Sequence, residues 1–147
     1  PNAAMTVPYT ATFSSHFEIG DSKNAVIVLN ILKDFEDNAV DRHPDFFSDT
    51  LTFITPEGYV IKGKAQFFGG SKQYRASFAG LKNSIESYVS LKSMEKNINR
   101  VHIQGTQEKT NREGAQQKVP FQSVWVFNKD GKVDYIREYT AKPLMQR

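Results

Sequence analysis

Val119-Pro120-Phe121-Gln122-Ser123-Val124-Trp125-Val126-Phe127-Asn128-Lys129-Asp130-Gly131-Lys132-Val133-Asp134-Tyr135-Ile136 is the stretch from which the fold can be read. Its first ten residues alternate, with Phe121, Ser123 and Trp125 on one side and Gln122, Val124 and Val126 on the other, the period of a half-buried strand. Asn128-Lys129-Asp130-Gly131 then supplies a turn with glycine where the backbone needs positive φ, so a second strand from Lys132 to Ala141 folds back on the first. Working outward, Leu81 to Met94 and Asn99 to Lys109 alternate as well. Ile85, Ser87, Val89 and Leu91 oppose Glu86, Tyr88 and Ser90, while Val101, Ile103 and Gly105 oppose His102, Gln104 and Thr106. Adjacent long strands joined by short turns are antiparallel.

The front of the chain reads differently. Behind a capping Asp21 or Ser22, Ala25, Val28, Leu29, Leu32 and Phe35 recur at helical spacing, and Val26, Ile27 and Ile31 widen the apolar band enough to touch more than one layer. Asp41 to Asp49 predicts a further helical turn or two, with Phe46 and Phe47 to bury. A strand from Leu51 to Pro56, a turn at Glu57-Gly58 and a return through Tyr59-Val60-Ile61 follow. Lys64 to Phe78 reads as a second helix, in which Gly69-Gly70 implies close packing or a kink. Helices gathered ahead of long strands give an α+β class. The expected division is an arm or edge strand over 1–19, centred on Tyr9 to Phe13, a domain over 20–142 and a tail over 143–147.

At 147 residues, 39% apolar and 24% charged, the chain has the composition of one globular core. Its 19 Lys and Arg are interspersed with 16 Asp and Glu, so the net +3 reads as a solvated surface and no nucleic-acid partner is expected. No apolar run approaches a membrane span, so no membrane partner is expected either. The absence of cysteine removes disulfides, thiolate nucleophiles and Cys-ligated zinc, and leaves the compartment open. With Pro1 as first residue, export after signal cleavage and a cytoplasmic location are both retained.

The long first helix, Phe46-Phe47-Ser48-Asp49, Thr55-Pro56, Gly58, Gly63-Lys64-Ala65 and the closing Trp125-Val126-Phe127-Asn128 with Gly131-Lys132-Val133 resemble the SnoaL-like branch of the nuclear transport factor 2-like superfamily, across residues 20 to 142. The resemblance implies a cone-shaped, cystatin-like α+β barrel. In it a strongly curved antiparallel sheet wraps the N-terminal helices and leaves a cavity between its concave face and the first helix. It also implies homodimers, here through the convex face carrying Gln122, Val124 and Val126. Isomerases, dehydratases, epoxide hydrolases, polyketide cyclases and association modules share the architecture, so the fold does not select among them.

The catalytic patterns of that superfamily are absent or incomplete. The carboxylate base of the ketosteroid isomerases falls at Thr55, which cannot titrate, and their second carboxyl at Ser123. An Asp-Arg-Asp arrangement of the epoxide hydrolase kind would need titratable groups where Val101, Ile103 and Gly105 stand. A dehydratase would need a histidine pair, for which His43 and His102 are the candidates, His102 alternating onto the more polar face. Asp41, His43, Asp45 and Asp49 are typical capping and turn residues beside Pro44, so no metal and no cofactor is expected.

Members of the superfamily commonly bend the last strand. With a bulge after Val133, Ile136, Glu138 and Thr140 face inward beside Trp125; without it, Tyr135, Arg137 and Tyr139 do. The bulge is the favoured reading, and a Glu138 so buried would have a raised pKa or a partner. The candidate lining is Trp125, Tyr59, Tyr74, Phe78, Phe121, Ser123, Ile136 and Glu138, suited to a small apolar or aromatic ligand with one or two polar groups. The leading reading is thus a small-molecule-binding domain without a recognisable catalytic constellation. Two alternatives stand beside it: a lyase or isomerase acting through His43, Glu138 or Asp41, and a homodimeric association module with a vestigial pocket.

Overall fold

A computed structural model describes residues 5–143. The elements are β1 (Phe17–Ile19), α1 (Ser22–Glu36), a 3-10 turn (Pro44–Phe46), β2 (Phe47–Ile54), β3 (Val60–Lys62), α2 (Lys64–Ala76), β4 (Gly80–Ser93), β5 (Ile98–Thr110), β6 (Gln116–Phe127) and β7 (Val133–Thr140). All seven strands join one curved sheet in the order β1-β4-β5-β6-β7-β2-β3. The α+β class holds.

Four expectations change in detail. The sheet is mixed, because β2 runs parallel to β7; the connection between them is long enough to permit either direction, and strand alternation carries no information about a neighbour's direction. The helical reading of Asp41 to Asp49 shrinks to the 3-10 turn, since Phe47 already pairs with Val133 as strand. The N-terminal edge strand is Phe17–Ile19 rather than Tyr9 to Phe13. Phe13 and Phe17 lie against the Arg100 guanidinium, 4.8 and 5.7 Å from its carbon. Finally, a Cβ at Gly69 or Gly70 would meet nothing within 4 Å, so α2 continues through both glycines without the expected close packing. The expected arm and tail extend into residues 1–4 and 144–147, which lie outside the described residues.

Bulges in β4 and β7 bend the sheet, and the β2–β7 register also shifts between Phe47 and Thr52. Glu86 is extra between Ile85, opposite Gly105, and Ser87, opposite Gln104, so the even alternation of β4 breaks there and Ile85 shares a face with Tyr88 and Ser90. Gly105 stands at the bend because a Cβ would come within 2.3 Å of the Ser84 carbonyl oxygen and 3.2 Å of the Phe121 ring. Asp134 is extra between Val133, opposite Phe127, and Tyr135, opposite Val126. Past that bulge Ile136 is buried and Glu138 faces the interior, as the bulged reading of β7 requires.

α1 lies in the concavity. Asp21 caps it by accepting from Lys23 N at 2.9 Å. Ala25, Val28 and Ile31 are buried together with Leu51, Val101, Ile103, Phe121, Trp125, Val133 and Ile136 in one core. The far end of α1 is held by Arg75 of α2, a buried guanidinium whose Nε donates to Phe35 O and Nη2 to Glu36 O, both at 2.9 Å. It caps the Glu36 carbonyl and adds a second donor to that of Phe35, which also accepts from Asn38 N at the end of the helix.

Candidate functional site

Between α1, α2, the β2–β3 hairpin and the concave faces of β5, β6 and β7 lies a cavity of about 300 Å³. Its inner wall is apolar. α1 contributes Ile31, Leu32 and Phe35, β2 Phe47 and Phe53, α2 Phe67, and the sheet Val119, Phe121, Trp125 and Ile136. Phe67 packs with its ring centroid 5.2 Å from Phe47 and 5.4 Å from Phe53, edge-on to the latter, which fixes that wall by aromatic contacts in favoured geometries.

The polar groups lie on the sheet side and at the rim. Ser123 is buried, and its Oγ accepts from Trp125 Nε1 at 2.8 Å. Opposite it in the β6–β7 register stands Glu138, whose carboxylate makes no hydrogen bond or ion pair with another described residue. Burial pushes the Glu138 carboxyl above its ordinary range; Lys109 opposes that shift and Glu57 adds to it. At the rim, Lys109 Nζ donates to Tyr74 Oη at 2.5 Å and sits 5.2 Å from that ring and 5.5 Å from Phe78. The exposed Glu57 completes the edge from the turn between β2 and β3.

Of the eight candidate lining residues, Trp125, Tyr74, Phe121, Ser123, Ile136 and Glu138 line the cavity. Tyr59 does not: it follows Gly58 on the outside of the hairpin turn and is 71% exposed. Phe78 also lies outside, past the end of α2, where it supports Tyr74 edge-on at 5.1 Å. Of the three catalytic candidates, Glu138 alone lines the cavity. The Nδ1 of His43 is 2.6 Å from Oδ2 of Asp34, a carboxylate 2% exposed on α1, and Arg42 approaches the other oxygen at 3.4 Å. That cluster clasps the α1–β2 connection to the helix. Asp41 pairs with Lys72 at 2.6 Å on the outer side of α2, an interaction that lowers its pKa. Asp49 pairs with Lys64, so Asp41 and Asp49 turn to two different partners instead of converging.

His102 lies on the outer sheet face, its Nε2 buried without a described partner, and its pKa is lowered by burial and by Arg100. Sequence reasoning missed Lys109, Gln107, Phe53, Phe67 and Glu57. The first two were legible, since they continue the inward phase of Val101, Ile103 and Gly105 along β5. Glu57 sits in a turn and carries no periodic signal.

No protein-family model and no curated protein matches the sequence. Solved structures do match. An NTF2-like protein of unknown function from Burkholderia pseudomallei aligns with TM-score 0.67 at 16% identity, over 82% of this chain and 92% of that one. An LEH-like epoxide hydrolase from M. tuberculosis gives TM-score 0.67 at 13% identity, over 82% and 84%. A hypothetical protein with ketosteroid isomerase-like fold from Catenulispora acidiphila, in complex with trimethylamine, gives 0.60 at 14%, over 77% and 83%. The chain has the nuclear transport factor 2-like fold: a cone of bent sheet around a helix, with its cavity at the open end of the concave face.

Proposed function

We propose that this chain is a small-molecule-binding domain whose occupant is apolar over most of its surface and polar at one edge. The observation that carries this reading is the distribution of the lining: an aromatic and aliphatic inner wall, with polar side chains that include Ser123, Glu138, Gln107 and Lys109 gathered on the sheet side and Glu57 at the rim. At about 300 Å³ the space suits a one- or two-ring compound. The neighbour holding trimethylamine is consistent with a ligand of small size. An enzymatic role would rest on Glu138 without His43 or Asp41, because neither of those reaches the cavity.

A thermal-shift series of small aromatic and alicyclic compounds tests the reading. A ligand at a hundredfold excess over its Kd stabilises by about 2.7 kcal/mol, which for a chain of this size is a rise of several degrees in Tm. A flat response across the series would remove it.

We also propose that a second copy covers the convex face. Val89, Leu91, Val124 and Val126 are only half-buried there, and Arg100 Nε, His102 Nε2 and Arg137 Nε are shielded from solvent without a described acceptor. Gln104 and Gln122 are exposed on the same face and could meet their counterparts across a two-fold axis. Sedimentation equilibrium showing only monomer at high concentration would dismiss this second reading.

A further inference from the structure

We propose that the cavity selects a small quaternary or tertiary ammonium ligand, with Glu138 as its counter-ion and the aromatic wall as its cage. The inference rests on the ligand-binding reading above and names the ligand's chemistry. Four observations support it.

The first is that Glu138 has no partner. It lines a mostly apolar cavity and makes no hydrogen bond or ion pair with a described residue. A carboxylate so placed is costly when ionised, and a bound cation removes most of that cost by restoring the lost Coulomb partner.

The second is that, among the described residues, the one cation lining the cavity is already engaged. Lys109 donates to Tyr74 Oη and lies over the Tyr74 and Phe78 rings. The groups that face Glu138 are Lys109 from β5, Glu57 from the β2–β3 turn and Tyr74 from α2; α1, β6 and the rest of β7 present no ionisable side chain to the cavity. Among the described residues, two carboxylates stand against one engaged ammonium, which leaves the site short of positive charge.

The third is the composition of the wall. Phe35, Phe47, Phe53, Phe67, Tyr74 and Trp125 surround the space, and ring faces attract alkylammonium groups that offer at most one N–H to satisfy. The fourth is Ser123. Its Oγ already accepts from the Trp125 indole and carries no formal charge, so among the described residues Glu138 is the anionic centre of the sheet wall.

The pH dependence has a definite sign. Burial raises the Glu138 pKa, so the carboxyl is neutral at low pH and must ionise to hold a cation. Ammonium binding therefore strengthens as pH rises and levels off above that pKa, with protons released on binding below it.

The experiment is calorimetry and thermal shift on the full chain with three probes: benzyltrimethylammonium, its neutral isostere neopentylbenzene, and acetophenone. The expected result is tighter binding of the ammonium than of the isostere by about tenfold or more, falling about tenfold per pH unit below the Glu138 pKa. Glu138→Gln, with its fold checked by circular dichroism, should reduce the ammonium to the affinity of the isostere, and Glu57→Gln should weaken it less. Equal binding of ammonium and isostere would overturn this inference while leaving the ligand-binding reading in place. So would preference for acetophenone that fades as pH rises, which would make Glu138 a neutral donor to a carbonyl. If none of the three binds at any pH, both readings fail together.

Discussion

Trp125 Nε1 donates to Ser123 Oγ at 2.8 Å, two residues back on the same face of β6, and both side chains are buried. The pair supplies a buried indole with its acceptor without recruiting another strand. It also explains why a serine stands in an apolar wall. Ser123→Ala should leave the indole N–H unpaired and cost about 1–3 kcal/mol, measured by urea unfolding. Ser123→Thr, which keeps the oxygen, should recover part of that loss if the added methyl fits.

Gly105 and Gly69 make opposite predictions from the same substitution. Alanine at Gly105 drives a Cβ against the Ser84 backbone oxygen, which cannot swing away, so Gly105→Ala should destabilise by roughly 1–3 kcal/mol or more. Alanine at Gly69 meets open space inside a helix and should stabilise by about 0.5–1 kcal/mol. Parallel thermal melts of the two variants decide the matter. A destabilised Gly69→Ala would mean that α2 needs its glycines for motion or for a partner.

Arg75 ties α2 to the end of α1 through backbone carbonyls. Arg75→Met keeps the buried stem and strips the donors, and should cost about 3 kcal/mol, seen as a lowered denaturant midpoint. Arg75→Lys should recover only part of this, since one ammonium cannot reach Phe35 O, Glu36 O and Phe78 O in the same fork.

His43 should behave as a structural residue. His43→Ala leaves the buried Asp34 carboxylate with Arg42 alone and should cost roughly 1–3 kcal/mol, while leaving the affinity of any cavity ligand unchanged at temperatures where the variant stays folded. A variant of unchanged stability and lost ligand affinity would return His43 to the site.

Glu138 sets a pH-dependent contrast. Its folded-state pKa is raised, so its contribution to stability is fully present below the unfolded carboxyl pKa and is lost as pH rises through the folded value. Relative to the parent, Glu138→Gln should therefore raise Tm at pH 8 and change it least near pH 4. Glu36, Glu95 and Asp41, whose pKa values are lowered, act in the opposite sense and cancel in this comparison because both proteins carry them. Equal Tm differences at both pH values would mean that Glu138 is solvated.

Much of this molecule was legible in its sequence because burial imposes a period. The α+β class, α1 with its Asp21 cap, the four long strands and the inward set of Trp125, Phe121, Ser123, Ile136 and Glu138 follow from alternation, helical spacing and turn chemistry, with the bend of β7 supplied by family resemblance. What the period cannot report is which distant segment answers a given side chain. The parallel seam between β2 and β7, the burial of Asp34 under His43, the capping of α1 by Arg75 and the meeting of Glu57, Lys109 and Glu138 at one rim each join residues far apart in the chain. Such pairings depend on how the sheet curls, and Glu86, Gly105 and Asp134 set that curl through backbone geometry rather than through hydrophobicity. The sequence by itself determined the elements and the side each one turns inward. Only the tertiary structure decided which polar groups are left unpaired inside, because a charge counts as unpaired only once every neighbour has been placed.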